Sequence, residues 1–92
     1  MDTLYVKIIS PNKTIYEGPA VAVSSQNSQG NFDILPQHAN FLTMTKNSPI
    51  IIHTIDKKQL EFKIPLSIIY NLGNRVSIYT DIVPEGPLAS NY

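Results

Sequence analysis

Apolar and polar residues alternate along most of this chain with a period of two, and no window of about 11 residues carries a helical period. Leu4-Tyr5-Val6-Lys7-Ile8 reads as a half-buried strand, and Pro11-Asn12-Lys13 as a turn. Thr14 to Glu17 is short and extended, closed by Gly18-Pro19; Ala20 to Ser24 alternates again through Val21 and Val23. The polar run Gln26 to Asn31 is a loop between apolar segments. Phe32 to Leu35 is a short strand stopped by Pro36, and Phe41 to Thr45 is another, after which Lys46-Asn47-Ser48-Pro49 is expected to turn the chain. Ile50 to Ile55, Leu60 to Ile64 and Leu66 to Leu72 read as three more strands, with Asp56-Lys57-Lys58 as a hairpin tip. Gly73-Asn74 turns into a last strand through Val76 and Ile78. Pro65, between two apolar segments, marks an edge or a bend.

Many short strands, frequent turns and no helix predict an all-β sandwich or barrel. The 92 residues make one domain. The strand pattern ends at Val83, so the expected division is a β domain over 1–83 and a flexible Pro- and Gly-containing tail over 84–92.

Composition removes several function classes. Seven basic residues balance seven acidic ones, and only Lys57-Lys58 sets two cations side by side. A phosphate backbone calls for clustered cations, so nucleic acid is not an expected partner. The absence of cysteine excludes disulfides and thiolate chemistry. Met1 to Tyr5 has neither the basic nor the apolar region of a signal peptide. The longest aliphatic run, Ile50-Ile51-Ile52, is far below the ~20 residues of a membrane-spanning helix.

Catalytic equipment is not expected either. The histidines are His38 and His53, whereas a metal centre needs three or four converging ligands. His53 reads as an ordinary strand residue. His38 lies in a loop, and its nearest acid in sequence is Asp33. The acids Asp2, Glu17, Asp33, Asp56, Glu61, Asp81 and Glu85 form no paired motif, and the four glycines never cluster into a phosphate cradle. Ser24-Ser25 lacks the glycines of a nucleophile elbow. No catalytic, cofactor-binding or metal-ligating residue is assigned.

The stretch Gly30 to Leu42 is denser in special residues than any other, with a tight turn, a short apolar strand, a Pro-ended corner and a His-bearing loop. Gly30, Phe32, Ile34, Leu35, Pro36, His38 and Ala39 resemble a pattern of the epsilon subunit of F-type ATP synthase. Leu4-x-Val6-x-Ile8-Ile9-Ser10-Pro11, Ile15-Tyr16-x-Gly18, Val23-Ser24, Asn74 to Ile78 and Asp81 are similar to that family as well. The resemblance covers residues 4 to about 83.

It implies a β-sandwich of two sheets and about ten short strands, in a non-catalytic subunit without cofactor. That subunit sits in the central stalk on the cytoplasmic face of the bacterial membrane, where it couples ion translocation to ATP synthesis or hydrolysis. The implied partners are the gamma subunit and the membrane c-ring. Ser28, Gln29, Gly30, Asn31, Phe32 and Asp33 match the part that meets the ring, and His38, Ala39, Asn40 and Phe41 the part that faces gamma. Asn31 stands where the family usually has an acid and Asp33 where it has glycine. Two residues apart on a strand, they are expected on one face, so Asp33 could replace the missing charge. The two C-terminal helices usual in the family have no counterpart in the sequence after Val83. A freestanding β-sandwich module for a small ligand or peptide is the alternative reading.

Overall fold

The computed structural model of the chain describes residues 2–81. It contains seven strands and, among the described residues, no helix: β1 (Leu4–Ile9), β2 (Thr14–Ala20), β3 (Ala22–Asn27), β4 (Gly30–Ile34), β5 (Phe41–His53), β6 (Gln59–Leu72) and β7 (Arg75–Tyr79). They form one sheet in the order β2-β1-β7-β6-β5-β3-β4. Every neighbouring pair is antiparallel except β1 and β7, which run parallel from Tyr5↔Arg75 to Ile9↔Tyr79.

The sheet makes a sandwich by folding over on its two long strands. In the first half of β5 the residue buried most deeply is Thr45, whereas in its second half Ser48, Ile50 and Ile52 are buried. The inward face has switched from odd to even positions. β6 makes the complementary switch, burying Phe62 and Ile64 before Pro65 and Ser67, Ile69 and Asn71 after it. Both switches fall at the same rung, between Lys46↔Leu66 and Ser48↔Ile64. Asn47 adopts a left-handed φ of 49° there, and Pro65 has no amide hydrogen to give to a ladder. The two strands therefore crease together without losing register. On one side of the crease lie β2, β1, β7 and the adjoining halves of β6 and β5; on the other lie the remaining halves with β3 and β4.

Thirteen buried apolar side chains, including Val6, Ile8, Val23, Ile34, Ile52, Phe62, Ile69 and Ile78, form a single core between the two layers. Ring contacts cross it from Tyr16 on β2 to Phe62 on β6, with centroids 5.7 Å apart.

The all-β sandwich expected from the sequence is present, but its strand inventory is corrected. The segments 41–45 and 50–53 are parts of one strand, as are 60–64 and 66–72, while Thr54 and Ile55 belong to the following hairpin turn; among the described residues there are thus seven strands rather than about ten, in one folded sheet rather than two. The segment Lys46 to Pro49 bends the sheet rather than ending a strand. Pro65 is the bend it was expected to be. The hairpin tip at Asp56-Lys57-Lys58 is closed by Thr54, whose amide donates to the Lys58 carbonyl while Lys57 takes a φ of 69°. The proposed tail, 84–92, lies outside the described residues.

Candidate docking surfaces

The two outer faces of the sandwich have opposite character. On the five-stranded layer, cross-strand pairing sets Leu42 against Tyr70, Met44 against Ile68, and Ile68 against Tyr79. Leu66 and Leu72 lie in line with them on β6, and Tyr5 faces outward on β1. All are exposed, Leu42 by 65% and Met44 by 53%. Patches of this kind mark interaction sites. Ordinary alternation is inverted at the start of β5, where Leu42 and Met44 point to solvent while Thr45 is fully buried and Thr43 half-buried. The buried Thr45 hydroxyl is satisfied by Ser67, 2.6 Å away, and Thr43 accepts a hydrogen bond from Asn27. Lys7, Lys46 and Arg75 border the apolar area. Two acids lie beside it: Asp81 lines a groove with Leu66, Ile68 and Tyr79, and Glu17 is engaged by the Tyr5 hydroxyl at 2.6 Å, a bond that raises the phenol above its ordinary range.

At one end of this face the 35–40 loop is stitched to the β6–β7 turn by three asparagines. Asn71 donates through Nδ2 to the carbonyls of His38 and Ala39. Asn74 accepts from the Gln37 amide at 2.7 Å, and Asn40 accepts from the Gly73 amide at 2.8 Å. Gln37 takes a φ of 67°, and its side chain reaches Asp2. The His38 ring lies 5.0 Å from Phe41 and its Nδ1–H donates to the Ala39 carbonyl. No hydrogen bond joins His38 to Asp33. Phe41 in turn meets Phe32 edge-on at 5.8 Å, so the aromatic rings of the two predicted contact segments touch.

The β3–β4 hairpin carries the remaining predicted residues. Ser28 and Gln29 occupy its tip, tied by the Asn27 side chain to the Gln29 amide. Gly30 closes it at a φ of 118°, a region open to little but glycine. Asn31 and Asp33 are exposed and border the same outer groove, as period two requires, whereas Phe32 turns toward Phe41. Asp33 is not a free carboxylate, because the Ser24 hydroxyl donates to it at 2.6 Å. The same Ser24 oxygen lies 2.9 Å from His53 Nε2. This row joins β4, β3 and β5 on the outer face of the four-stranded layer.

The order of that row excludes a nucleophilic triad. In a triad the histidine accepts the serine proton and the acid holds the histidine. Here the serine gives its proton to the acid. Among the described residues no cluster of three or more His, Cys, Asp or Glu side chains could hold a metal. Sequence reasoning brought forward the two loops but missed the apolar face and the row. The first carried a misleading signal, because Leu66, Ile68, Tyr70 and Leu72 share the parity that simple alternation assigns to the core, whereas the fold buries Ser67, Ile69 and Asn71 instead. The second had none, since Ser24, Asp33 and His53 meet only through strand register.

The family described as ATP synthase, Delta/Epsilon chain, beta-sandwich domain matches residues 3–85. An ATP synthase epsilon chain of Clostridium botulinum is 31% identical over 80 residues, covering 87% of this chain and 60% of the relative. One from Nitratiruptor is 36% identical over 59 residues, or 64% of this chain and 46% of that one. The chain thus spans about 60% of the length of relatives such as the Clostridium protein. A chain in the Euglena gracilis mitochondrial ATP synthase, in a structure comprising OSCP, F1 and c-ring, superposes with a TM-score of 0.80 at 16% identity. The match covers 89% of this chain and 53% of the other. A chain in the central stalk/c-ring structure of the Tetrahymena thermophila enzyme superposes at 0.69 with 13% identity, covering 85% and 63%. With the family matched over the whole of the described sheet, the chain belongs to the delta/epsilon β-sandwich domain family of ATP synthase.

Proposed function

We propose that this domain is a non-catalytic coupling piece of the central stalk of an F-type ATP synthase, held at the cytoplasmic face of the membrane through its partners. The gamma subunit docks on the 38–41 loop and the apolar outer face beside it, and the c-ring meets the hairpin tip from Ser28 to Asp33. One observation carries the reading: β5 turns Leu42 and Met44 outward while burying Thr45. A sheet that spends its aliphatic side chains on an outer face is built to have that face covered. The cations at its border, Lys7, Lys46 and Arg75, suit a partner whose apolar surface is rimmed by carboxylates. Family membership and the central-stalk setting of the similar Tetrahymena chain support the same assignment.

The test is capture of the purified domain by gamma and by c-ring preparations. Met44→Lys with Tyr70→Lys lowers gamma binding about tenfold or more, since central apolar anchors dominate such interfaces. Both sites are on the surface, so stability shifts by no more than about 0.5 kcal/mol per substitution. His38→Ala weakens gamma binding with the fold intact. Asp33→Asn weakens ring binding modestly and flattens its salt dependence. Unchanged gamma binding by the double lysine variant would remove the assignment of this face.

A further inference from the structure

The backbone ladder between β3 and β5 is short, running from Ala22↔His53 to Ser24↔Ile51. The β3–β4 ladder continues past it, from Val23↔Ile34 to Asn27↔Gly30. Ser24 is therefore the last rung at which the hairpin is tied by its backbone to the rest of the sheet. Beyond it, side chains anchor the hairpin, Ser25 to the Pro49 carbonyl and Asn27 to Thr43. The Asp33–Ser24–His53 row crosses all three strands at this root.

The row has a defined polarity. A serine hydroxyl has one hydrogen, and here it goes to a carboxylate, which accepts. Ser24 Oγ must then accept from His53 Nε2–H. That fixes the neutral imidazole as the Nε2–H tautomer, with bare Nδ1 as the position for a second proton. A proton added there places a cation one hydroxyl away from a carboxylate and makes the Nε2–H bond charge-assisted. The other groups facing His53 are few. On β6 these are Gln59, directly opposite, and Glu61, one outward position along. On β3 Ala22 is opposite. From the β5–β6 hairpin, Lys57 and Lys58 border the same groove as His53, and Asp56 forms an ion pair with Lys58 at 3.8 Å.

We propose that the Asp33–Ser24–His53 row is a proton-responsive brace at the root of the β3–β4 hairpin, stiffening the hairpin when His53 is charged and loosening it when His53 is neutral. Its consequence for ring binding rests on the assignment of the hairpin tip to the c-ring; the brace itself does not.

The test uses the chain alone. Nitrogen-detected histidine correlations at about pH 8 show neutral His53 as the Nε2–H tautomer, with His38 as an internal contrast in the Nδ1–H form. Amide-exchange protection of residues 25–32, taken relative to β6, falls about two- to fivefold between about pH 5.5 and pH 8, the range expected for one exposed charge-assisted contact. His53→Gln keeps an N–H donor but cannot titrate, and Ser24→Ala removes the link; both flatten this dependence. An Nδ1–H tautomer at His53, or a wild-type pH dependence persisting in His53→Gln, overturns the proposal. Because no partner is present, its failure is separate from failure of the docking assignment.

Discussion

Asn71 shows how much one side chain organises here. It is 1% exposed, and its amide nitrogen holds two carbonyls of the 35–40 loop. Removing it loosens the loop that positions His38 and Phe41, leaving the Asn40 and Asn74 bonds to hold it. Asn71→Ala is expected to lower stability by about 1–3 kcal/mol, read by urea unfolding, because two hydrogen bonds and their buried context are lost. The same substitution should weaken gamma capture without any change at the gamma-facing residues themselves. Nothing in the sequence marks Asn71 for this work, since within Leu66 to Leu72 it reads as one polar position in an apolar strand. His38 and Gly30 were legible because a loop histidine beside proline and a glycine at a hairpin tip carry local signals. Asparagine partners 33 or 37 residues apart carry none.

At the scale of elements, the crease is the feature that turns a sheet into a sandwich. Next to it Thr45 and Ser67 sit opposite each other, both buried, with their hydroxyls 2.6 Å apart. Thr45→Val leaves the Ser67 hydroxyl buried without its partner and is expected to cost about 1–3 kcal/mol. Adding Ser67→Ala should recover part of that loss, and a double-mutant cycle in urea should give a coupling of about 1 kcal/mol. A purely additive result would mean that the pair only fills space. The sequence revealed the strand segments on both sides of this point. It could not reveal that Asn47 and Pro65 bend two continuous strands, because a turn and a bend draw on the same residues. Only the register, with Asn47 and Pro65 falling between the same two rungs, tells them apart.

At the scale of the molecule, β7 is the strand whose ladders tie the first hairpin to the long strands, alongside the shared core. It lies between β1 and β6, so the β1–β2 hairpin meets the rest of the sheet through β7 alone. Ile78→Ala, in the centre of the core, is expected to destabilise the domain by about 2–5 kcal/mol. Amide exchange in β1 should then rise in step with that in β6, as one cooperative unit; selective release of β1 and β2 would contradict this. The parallel pairing of β1 with β7 was hidden from strand-by-strand reading, since nearly the whole described chain intervenes between them. Family resemblance reached the architecture where pattern alone stopped at sandwich or barrel. The arrangement also has a consequence for how the protein is made. A ribosome adds about 5–20 residues per second and releases β1 first. The strand that must lie beside β1 is the last of the seven to emerge, after some seconds of synthesis. Until then the nascent chain holds the bare edge of β1 and unburied core residues such as Val6 and Ile8. The sheet is therefore completed in a single late closure of β7 onto β1, and chaperones that shield apolar strand edges have their work on this chain before that moment.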